Sequence, residues 1–578
     1  MARSVRGGPE TEDTEMPKNP GAQAVTAVRN TLYRAYLKAV EKGLLEAGAA
    51  ENFDISEPRD RNHGDLAANF AMLWAKPLKM APRKIAETVL AEVEDCPYID
   101  KIEIAGPGFV NVTLSPRWYA EVLLAIDEAG DRYGEVETNK GKKMQVEFVS
   151  ANPTGPMHLG NARGGVLGDT LASILRWTGA YVEREFYLND TGNQVDLLSK
   201  SLEARYFEHF GDSETYPFPE DGYHGDDVTA HAKAYAEQFG DSLLKADEAE
   251  RRQKLATFAL ERNVARMEED LKRYRIEYDV WFRESSLYPT DVDEALEIME
   301  KNGALYESEG ALWFAATKFG VEKDDVLRRA NGFYTYYMGD IAYHKNKFLA
   351  RGFDTVIDVW GADHHGHAVR FASAMRAMGL EPERLKFILM QLVRLTQGGE
   401  VVRMSKRTGK AIALSDLLDE ISVDAARFFF CSRQCDTQME FDLDLAVRQD
   451  SDNPVYYVQY AHARICSILR NLEAEGITPK AADGLDLTLL TAPEERELIR
   501  HLADLPNQIA IAGRDLDPSR MTKYVVETAT YFHKFYNACR VRGEEEGLMQ
   551  ARLTLCRLTG QVIKNVLGIL KVSCPERM

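Results

Sequence analysis

The sequence lacks any apolar run of about 18 or more residues, so it offers no membrane-spanning helix and we expect no membrane partner. It also lacks an excess of positive charge, because 71 Lys and Arg stand against 91 Asp and Glu, a net charge of −20. Such a chain does not coat nucleic acid indiscriminately, although one local basic groove could still hold it. Its seven cysteines include no Cys-x-x-Cys pair, which argues against a disulfide framework and the common zinc motifs. Reduced thiols are typical of a cytosolic enzyme, and we therefore expect a cytoplasmic location.

Apolar residues make up 45% of the chain and charged residues 28%, the balance of a globular protein. At roughly 150 residues per domain, the length predicts about four domains. The first 23 residues have no apolar core of the kind found in signal peptides. Their glycine, proline and charge content predicts a disordered tail at 1–23.

Periodicity divides the remainder. Apolar residues at helical spacing over 25–47 and strand patterns at 101–104 and Phe109–Leu114 predict a small α/β domain at 24–117. A strand at 144–149, a helix ending near Thr178 and a strand at Tyr181–Leu188 form a βαβ pattern, which indicates a parallel sheet.

The apolar runs 355–360 and 385–395 predict further strands of the same sheet, whereas 195–330 is acidic and mostly helical. Beyond 441 the strong signals are helical. The sequence therefore predicts an α/β protein with a Rossmann-like parallel-sheet domain in two parts, 118–194 and 331–440. A helical insertion at 195–330 interrupts it, and an all-α bundle at 441–578 follows.

The segment 150–161, SANPTGPMHLGN, lies between the first predicted strand of this sheet and its helix. Backbone N–H groups at a helix start favour an anion, and Gly160 would let a ligand approach closely. His158 could donate a hydrogen bond to a phosphate. An ordinary βα loop remains the alternative.

A second segment, RMSKRTGK at 403–410, carries four cations in eight residues. A lysine ammonium is a compact charge that suits a polyphosphate. The alternative is a solvated basic turn.

Taken together, the two segments resemble the HIGH and KMSK signatures of class I aminoacyl-tRNA synthetases. Longer stretches resemble the arginyl-tRNA synthetase family from about residue 25 to the end. They are HGDLAANFAM at 63–72, VEFVSANPTGPMHLGN at 146–161, FYLNDTGNQ at 186–194, YYMGDIAYHKNKF at 336–348, GADHHGH at 361–367, VDAARFFFCSR at 423–433, DNPVYYVQYAHARICSI at 452–468 and PERM at 575–578. Two positions depart from the class pattern: Asn161 replaces a histidine and Arg403 replaces a lysine, while Lys406 is retained.

The resemblance implies an arginine–tRNA ligase that activates L-arginine with ATP and Mg²⁺ and transfers it to tRNA-Arg. It implies catalytic roles for His158, Gly160, Asn161, Ser405 and Lys406. The ATP contacts that it implies are Pro153, Gly155, His158, Asn161, Gly361, Asp363, Met404 and Lys406. For arginine it implies Glu147, Asn152, Tyr336, Asp340 and His364. No tightly bound cofactor and no resident metal are expected, and we expect a monomer.

Elementary chemistry agrees with the arginine set, because a guanidinium needs carboxylates in a fork and gains from a stacking ring. Tyr336 and Asp340 are four residues apart and face the same way on a helix. Without the resemblance, a core tyrosine and a surface acid would be the simpler interpretation.

In the predicted bundle, Tyr456, Tyr460 and Arg464 share one helix face, where aromatic rings and a guanidinium could stack on unpaired tRNA bases. Ordinary core packing is the alternative. The resemblance implies that this bundle binds the anticodon, and that tRNA must bind before arginine is activated.

Three other functions remain open. They are another class I synthetase, a non-catalytic tRNA-binding paralogue, and a metal-dependent hydrolase built on GADHHGH. Intact His158, Gly160, Ser405 and Lys406 argue against the second.

Overall fold

The computed structural model describes residues 16–58, 60, 63–402 and 412–578. The N-terminal elements are α1 (Pro20–Glu41), β1 (Ile55–Ser56), β2 (Leu66–Ala68), α2 (Phe70–Trp74), α3 (Pro82–Leu90), β3 (Ile99–Ala105) and β4 (Phe109–Leu114). The strands form an antiparallel sheet in the order β1-β2-β4-β3, with the rings of Tyr36, Phe70 and Trp74 packed together beside it. This part is α/β, as the sequence predicts.

Helix α1 begins earlier than the sequence patterns indicate. Asn19 Oδ1 accepts a hydrogen bond from Ala22 N at 3.0 Å, and Pro20 occupies the first helical position. An asparagine cap followed by proline is a helix start signal. The glycine and proline content of residues 1–23 masked this signal and favoured a disordered tail. The prediction of a disordered tail to residue 23 is therefore wrong for 20–23, and residues 1–15 lie outside the described residues.

The middle of the chain supplies α4 (Pro116–Ala129), β5 (Lys143–Glu147), α5 (Leu159–Trp177), β6 (Tyr181–Leu188), α6 (Asn193–His209), α7 (Asp226–Phe239), α8 (Glu248–Arg273), β7 (Val280–Arg283), α9 (Thr290–Lys301), β8 (Leu305–Ser308), β9 (Ala311–Phe314), β10 (Asp325–Arg328), α10 (Tyr336–Lys345), β11 (Thr355–Gly361), α11 (His365–Ala377) and β12 (Leu385–Met390). Five of these strands form a parallel sheet in the order β12-β11-β5-β6-β7. The sheet confirms the predicted parallel α/β fold. Ligands bind such sheets at the carboxyl ends of the strands, near the point where the strand order reverses.

Two sequence predictions need correction. The stretch 195–330 is not an insertion throughout, because β7 pairs with β6 as an edge strand of the central sheet and β8, β9 and β10 form an antiparallel sheet. The run 385–395 is not one strand. It ends at Met390, and a new strand in a different sheet begins at Val393.

The rest of the chain forms β13 (Val393–Gln397), β14 (Glu400–Val402), α12 (Leu414–Glu420), α13 (Val423–Cys431), β15 (Met439–Asp442), α14 (Leu443–Val447), α15 (Pro454–Ala474), α16 (Pro493–Ala503), α17 (Leu505–Asp515), α18 (Ser519–Ala538) and α19 (Glu546–Leu570). Strands β14, β13 and β15 make a small sheet, in which β13 and β15 run parallel. From α14 onward the described elements are helical, in agreement with the predicted bundle.

One continuous apolar core joins the three parts of the chain, and Val28, Val146, Leu171, Leu502 and Val562 all belong to it. The bundle is also fixed by charge at the fully buried Asp169 of α5. Its carboxylate is paired with Arg184 at 3.1 Å, Arg427 at 2.6 Å and Lys571 at 2.7 Å. Burial alone would raise the pKa of Asp169, but the three cations outweigh burial and hold it below its ordinary value.

Candidate active site

The loop after β5 makes a strained turn that joins two strand ends. Val149 and Ser150 have φ values of 68° and 40°, a region that non-glycine residues seldom adopt. Ser150 Oγ donates to Glu147 Oε1 at 2.8 Å and accepts from Tyr187 N at 3.1 Å. Asn152 Oδ1 accepts from Asn189 Nδ2 at 3.0 Å, so the loop is tied to the end of β6 as well.

The start of α5 is open to solvent. His158 and Gly160 are exposed, and Asn161 Oδ1 caps the helix by accepting from His158 N at 2.9 Å. A Cβ at Gly160 would meet no described atom within 4 Å, so the packing of the protein does not require glycine there. A glycine with empty space in front of it suits a ligand that approaches the backbone.

A cavity of about 520 Å³ lies against this helix start. Its lining residues are His158, Leu159, Gly160, Val393, Arg394, Leu395, Val401, Val402 and Ile412. The cavity therefore lies between the N-terminus of α5 and the β13–β14 hairpin. Arg403, Met404, Ser405 and Lys406 lie outside the described residues.

Pro153 and Gly155, predicted as ATP contacts, face the helices of the 195–330 stretch. Pro153 is buried, and its carbonyl accepts from Asn263 Nδ2 at 2.8 Å. Asn263 Oδ1 in turn lies 2.8 Å from His231 Nε2. The loop is thus anchored on its far side, which orients the half that leads to His158.

Below the loop lies a buried cluster of charges. The Lys347 ammonium is fully buried, 2.6 Å from Glu147 Oε2 and 3.1 Å from Asp358 Oδ1. His344 Nε2 lies 2.9 Å from Asp358 Oδ2. Burial raises the pKa of Glu147, and Lys347 offsets only part of that rise. For Asp358, attraction to Lys347 and His344 outweighs burial, and its pKa lies below the ordinary value.

Glu147 is therefore engaged through both oxygens, with Ser150 on one and Lys347 on the other. A short π-helical turn at Asn346–Ala350, directly after α10, places Lys347 in this cluster. Such turns often accompany functional sites. Sequence patterns alone did not single out Lys347, although it lies in the segment 336–348.

Asp340 lies on α10 one turn after Tyr336. Its Oδ2 lies 3.0 Å from His367 Nε2, and its carbonyl oxygen lies 2.8 Å from His344 Nδ1. His364, by contrast, is mostly exposed and lies beside Asp363, with 3.7 Å between His364 Nε2 and Asp363 Oδ2. Within GADHHGH, the described side chain that reaches Asp340 is that of His367. The arginine contact through His364 stays a prediction.

A further carboxylate, Glu284, stands directly after β7. Its side chain is buried, and Oε2 has no hydrogen-bond partner in the described structure. A Cβ added to Gly339 would lie 3.3 Å from Glu284 Oε1, so glycine next to Asp340 lets the two carboxylates share one space. Burial, together with repulsion from Asp340, raises the pKa of Glu284 to about 7.

Tyr336, one helical turn before Asp340, lies close to the turn after β6. It is 54% exposed, and its ring would lie 3.4 Å from a Cβ added to Gly192, in the turn after β6. The pocket thus combines a ring with clustered negative charge, a combination that suits a planar cation. The segment 186–194 contained Gly192, but Glu284 carried no sequence signal because β7 was not recognised as a strand.

In the helical bundle, the rings of Tyr456 and Tyr460 are stacked 6.3 Å apart, and Tyr460 is also 6.2 Å from the His533 ring. The Arg464 guanidinium lies 4.7 Å from the Tyr536 ring. Tyr460 is exposed, whereas Val455, Val458, Ile465, Ile468 and Leu472 of the same helix are buried. The structure therefore separates an aromatic and cationic face from the core of the bundle.

Two features are absent from the described residues. Among them, no helix is long and apolar enough to cross a membrane. Nor, within that same part of the chain, do three or more His, Cys, Asp or Glu side chains form a group that could hold a metal ion.

Three family models match the chain. The arginyl tRNA synthetase N-terminal domain matches 26–114, the catalytic domain of the class I (R) tRNA synthetases matches 123–442, and the DALR anticodon binding domain matches 458–578.

Two curated relatives and one solved structure illustrate the similarity. The chain is 52% identical to an arginine–tRNA ligase of Caldanaerobacter subterraneus subsp. tengcongensis, over 96% of this chain and 99% of the other. It is 50% identical to one from Acetivibrio thermocellus, over 94% and 96% of the two chains. Among solved structures, the Thermus thermophilus arginyl-tRNA synthetase has the same fold, with a TM-score of 0.73 at 21% identity. The match covers 96% of this chain and 100% of that one.

Proposed function

Because this chain belongs to the arginyl-tRNA synthetase family of class I, we propose that its carboxyl-edge site holds L-arginine and ATP side by side. The reaction is the ATP-dependent activation of arginine to arginyl-adenylate, followed by transfer to tRNA-Arg with release of AMP and pyrophosphate. The observation that carries the site assignment is the pair of neighbouring carboxylates Glu284 and Asp340, with the exposed Tyr336 one turn before Asp340.

In this proposal the guanidinium of arginine lies between Asp340 and Glu284. The free Oε2 of Glu284 gains a charge-assisted hydrogen bond, and the like charges that raise its pKa are neutralised. The contact between His367 Nε2 and Asp340 Oδ2 orients the Asp340 carboxylate. Tyr336 covers the pocket, because a ring face attracts a cation.

The α-ammonium group of arginine lies at the other end, near Glu147 and Asn152. Glu147 is already held by Ser150 and Lys347, which fixes the direction in which its remaining lone pairs point. Asn152 is held by Asn189 in the same way. Rigid partners of this kind place the arginine carboxylate for attack.

ATP, supplied as its Mg²⁺ complex, occupies the cavity at the start of α5. His158 and Gly160 line this cavity and, with Asn161, face the phosphates. Pro153 and Gly155 belong to the loop that leads to them, which Asn263 holds in place through the Pro153 carbonyl. Gly361, the last residue of β11, and Asp363, two residues beyond it, face the ribose, and His364 contacts arginine. Met404, Ser405 and Lys406 complete the phosphate contacts in this proposal.

The chemistry is an in-line displacement. The arginine carboxylate attacks the α-phosphorus, pyrophosphate leaves, and a ribose hydroxyl of tRNA-Arg then attacks the arginyl carbonyl and releases AMP. Charge develops on the phosphates, so donors fixed in advance at the helix start lower the barrier. No protein side chain forms a covalent intermediate.

The partner tRNA-Arg binds across the bundle face of Tyr456, Tyr460 and Arg464 by stacking on unpaired bases. The working form is a monomer in the cytoplasm. The boundaries of the predicted parts, 24–117, 118–194, 331–440 and 441–578, remain part of the proposal.

Aminoacylation of purified tRNA-Arg with each of the twenty amino acids tests the assignment. We expect charging with arginine and no measurable charging with lysine, whose point charge satisfies only part of the fork. Charging with a different amino acid would indicate another class I synthetase. A protein that binds tRNA but charges none would be a non-catalytic paralogue.

A further inference from the structure

The buried guanidinium of Arg163 lies outside the proposed arginine site and connects other parts of the fold. Arg163 is the fifth residue of α5 and is fully buried. It donates to the carbonyl oxygens of Gln391 at 2.9 Å, Thr437 at 3.1 Å and Gln434 at 2.8 Å. In the described part of the chain, each of its hydrogen bonds ends on a backbone carbonyl, and burial lowers its pKa.

These carbonyls belong to the two segments that lead into the small sheet. Gln391 follows β12 and precedes β13, and the loop 434–437 precedes β15. The segments are also bonded to each other, since Gln391 N donates to the Cys435 carbonyl at 2.9 Å. Because β13 pairs with β15 and lines the cavity opposite His158, Arg163 fixes this cavity wall relative to α5.

The same loop touches the helical bundle. The exposed side chain of Gln434 donates through Nε2 to Asp517 Oδ2 at 3.1 Å, in the turn between α17 and α18. Asp517 is itself held, because Oδ1 accepts from Ser519 N at 3.0 Å and from Ser519 Oγ at 2.6 Å. Close by, Thr522 Oγ1 donates to the Cys431 carbonyl at 3.2 Å.

We propose that Gln434 and Arg163 are positioning residues: the contacts Asp517–Gln434 and Gln434–Arg163 let the helical bundle set the β13–β14 wall of the ATP cavity. Gln434 serves both sides, with its side chain on the bundle and its carbonyl on α5. The link rests on the proposed function of that cavity. It predicts that a change at an exposed amide, remote from arginine, alters the rate of the reaction.

The test is an exchange of partners. Gln434→Glu sets two carboxylates against each other across about 3 Å, where like charges repel. Asp517→Asn alone is mild, because the Gln434 amide can turn its oxygen towards the new donor. In the double variant the new amide nitrogen at position 517 donates to the new carboxylate at position 434, while the amide oxygen keeps the bond to Ser519. Gln438→Glu adds the same charge in the same exposed loop and is the matched control.

Each full-length variant is assayed for aminoacylation rate, arginine KM and thermal unfolding. We expect Gln434→Glu to lower kcat about fivefold or more with arginine KM unchanged, and the double variant to recover to within about twofold of the parent. Gln438→Glu should match the parent, and none of the variants should unfold early.

An unaffected kcat in Gln434→Glu would overturn the link, as would a double variant no better than Gln434→Glu. A loss that tracks earlier unfolding, or that Gln438→Glu shares, would do the same. If the parent charges no tRNA with arginine, the proposed function fails instead, so the two failures are distinguishable.

Discussion

The side chain of Glu284 meets two opposed requirements, one from folding and one from ligand binding. In the empty pocket its carboxylate is buried beside Asp340, which is unfavourable for the ionised form. A bound guanidinium would need that ionised form. The ionised Glu284 therefore destabilises the empty protein but is the form that binds a guanidinium.

Glu284→Gln separates these demands. Because the folded-state pKa of about 7 lies above the ordinary glutamate value of 4.5, this group costs stability as pH rises through that window. At pH 8 the variant should be more stable than the parent by about 1–3 kcal/mol in chemical denaturation, and at pH 4.5 equally stable. Its arginine KM should rise at least about tenfold. Glu307→Gln, at a mostly exposed carboxylate, is the control, and a variant with parental KM would contradict the assignment.

The same pKa predicts a pH dependence of arginine binding. If the ionised Glu284 is required, lowering the pH from 8 to 6 should raise arginine KM about tenfold, because the proton must leave first. Glu284→Gln should show a much flatter profile over this range. Steady-state kinetics at saturating ATP and tRNA measure both, and parallel profiles would contradict the prediction.

Asp340→Asn removes charge while keeping size. We expect arginine KM to rise sharply, with selectivity over lysine reduced, since the amide cannot complete the charged fork. Unchanged KM would mean that the guanidinium binds elsewhere.

Among the elements, the π-helical turn after α10 holds the charge cluster in place. It lets Lys345 and Lys347, two residues apart, both be buried with different partners: Asp291 and Glu294 for the first, Glu147 and Asp358 for the second. Through Lys347, the π-helical turn thus fixes Glu147 at the end of β5.

Lys347→Met tests that role. The change leaves Glu147 and Asp358 buried without their cation, and we expect a loss of about 3–5 kcal/mol in the free energy of unfolding. Lys345→Met is the matched control, because its partner Glu294 is half exposed and can be solvated, so the loss should be smaller. Equal losses in the two variants would contradict the assigned role of the cluster.

Helices and strands with strong hydrophobic periodicity could be predicted from the sequence. Short strands that form only by pairing with a neighbouring strand could not. The strands Phe109–Leu114 and Tyr181–Leu188 have the bounds that the sequence predicts. Strand β7, four residues long, becomes a strand only by pairing with β6, and the residue after it, Glu284, was missed with it. His367 and Lys347 lay in recognised segments, but only packing shows which side chains meet.

At the scale of the whole molecule, the helical bundle and the central sheet form one structural unit. Arg427 donates to the Leu570 carbonyl at 2.8 Å. Arg427 and Lys571 both form ion pairs with Asp169. A chain cut near residue 441 would leave that carboxylate short of a partner and expose the shared core. Point changes on the bundle surface therefore test tRNA coupling better than truncation does.

Tyr460→Ala is such a change. Loss of one stacking ring should raise the KM for tRNA-Arg by about 5- to 100-fold, with arginine KM little changed. Tyr181→Ala, an exposed tyrosine at the start of β6, is the control. If ATP–pyrophosphate exchange with arginine needs tRNA, as the family resemblance implies, the same variant should lower exchange at limiting tRNA. Full exchange without tRNA would remove the coupling and leave the ligase activity standing.

The pairing of Lys571 with Asp169 also bears on how the protein is made. A ribosome synthesises Asp169 first and Lys571 only 402 residues later. Until then the nascent chain holds a carboxylate in its forming core with one of its three cations missing, and the apolar surface that α19 covers stays open. Incompletely folded chains of this size are prone to aggregate through such exposed apolar surface. The enzyme that charges arginine for translation thus closes its own fold only after translation has passed Lys571.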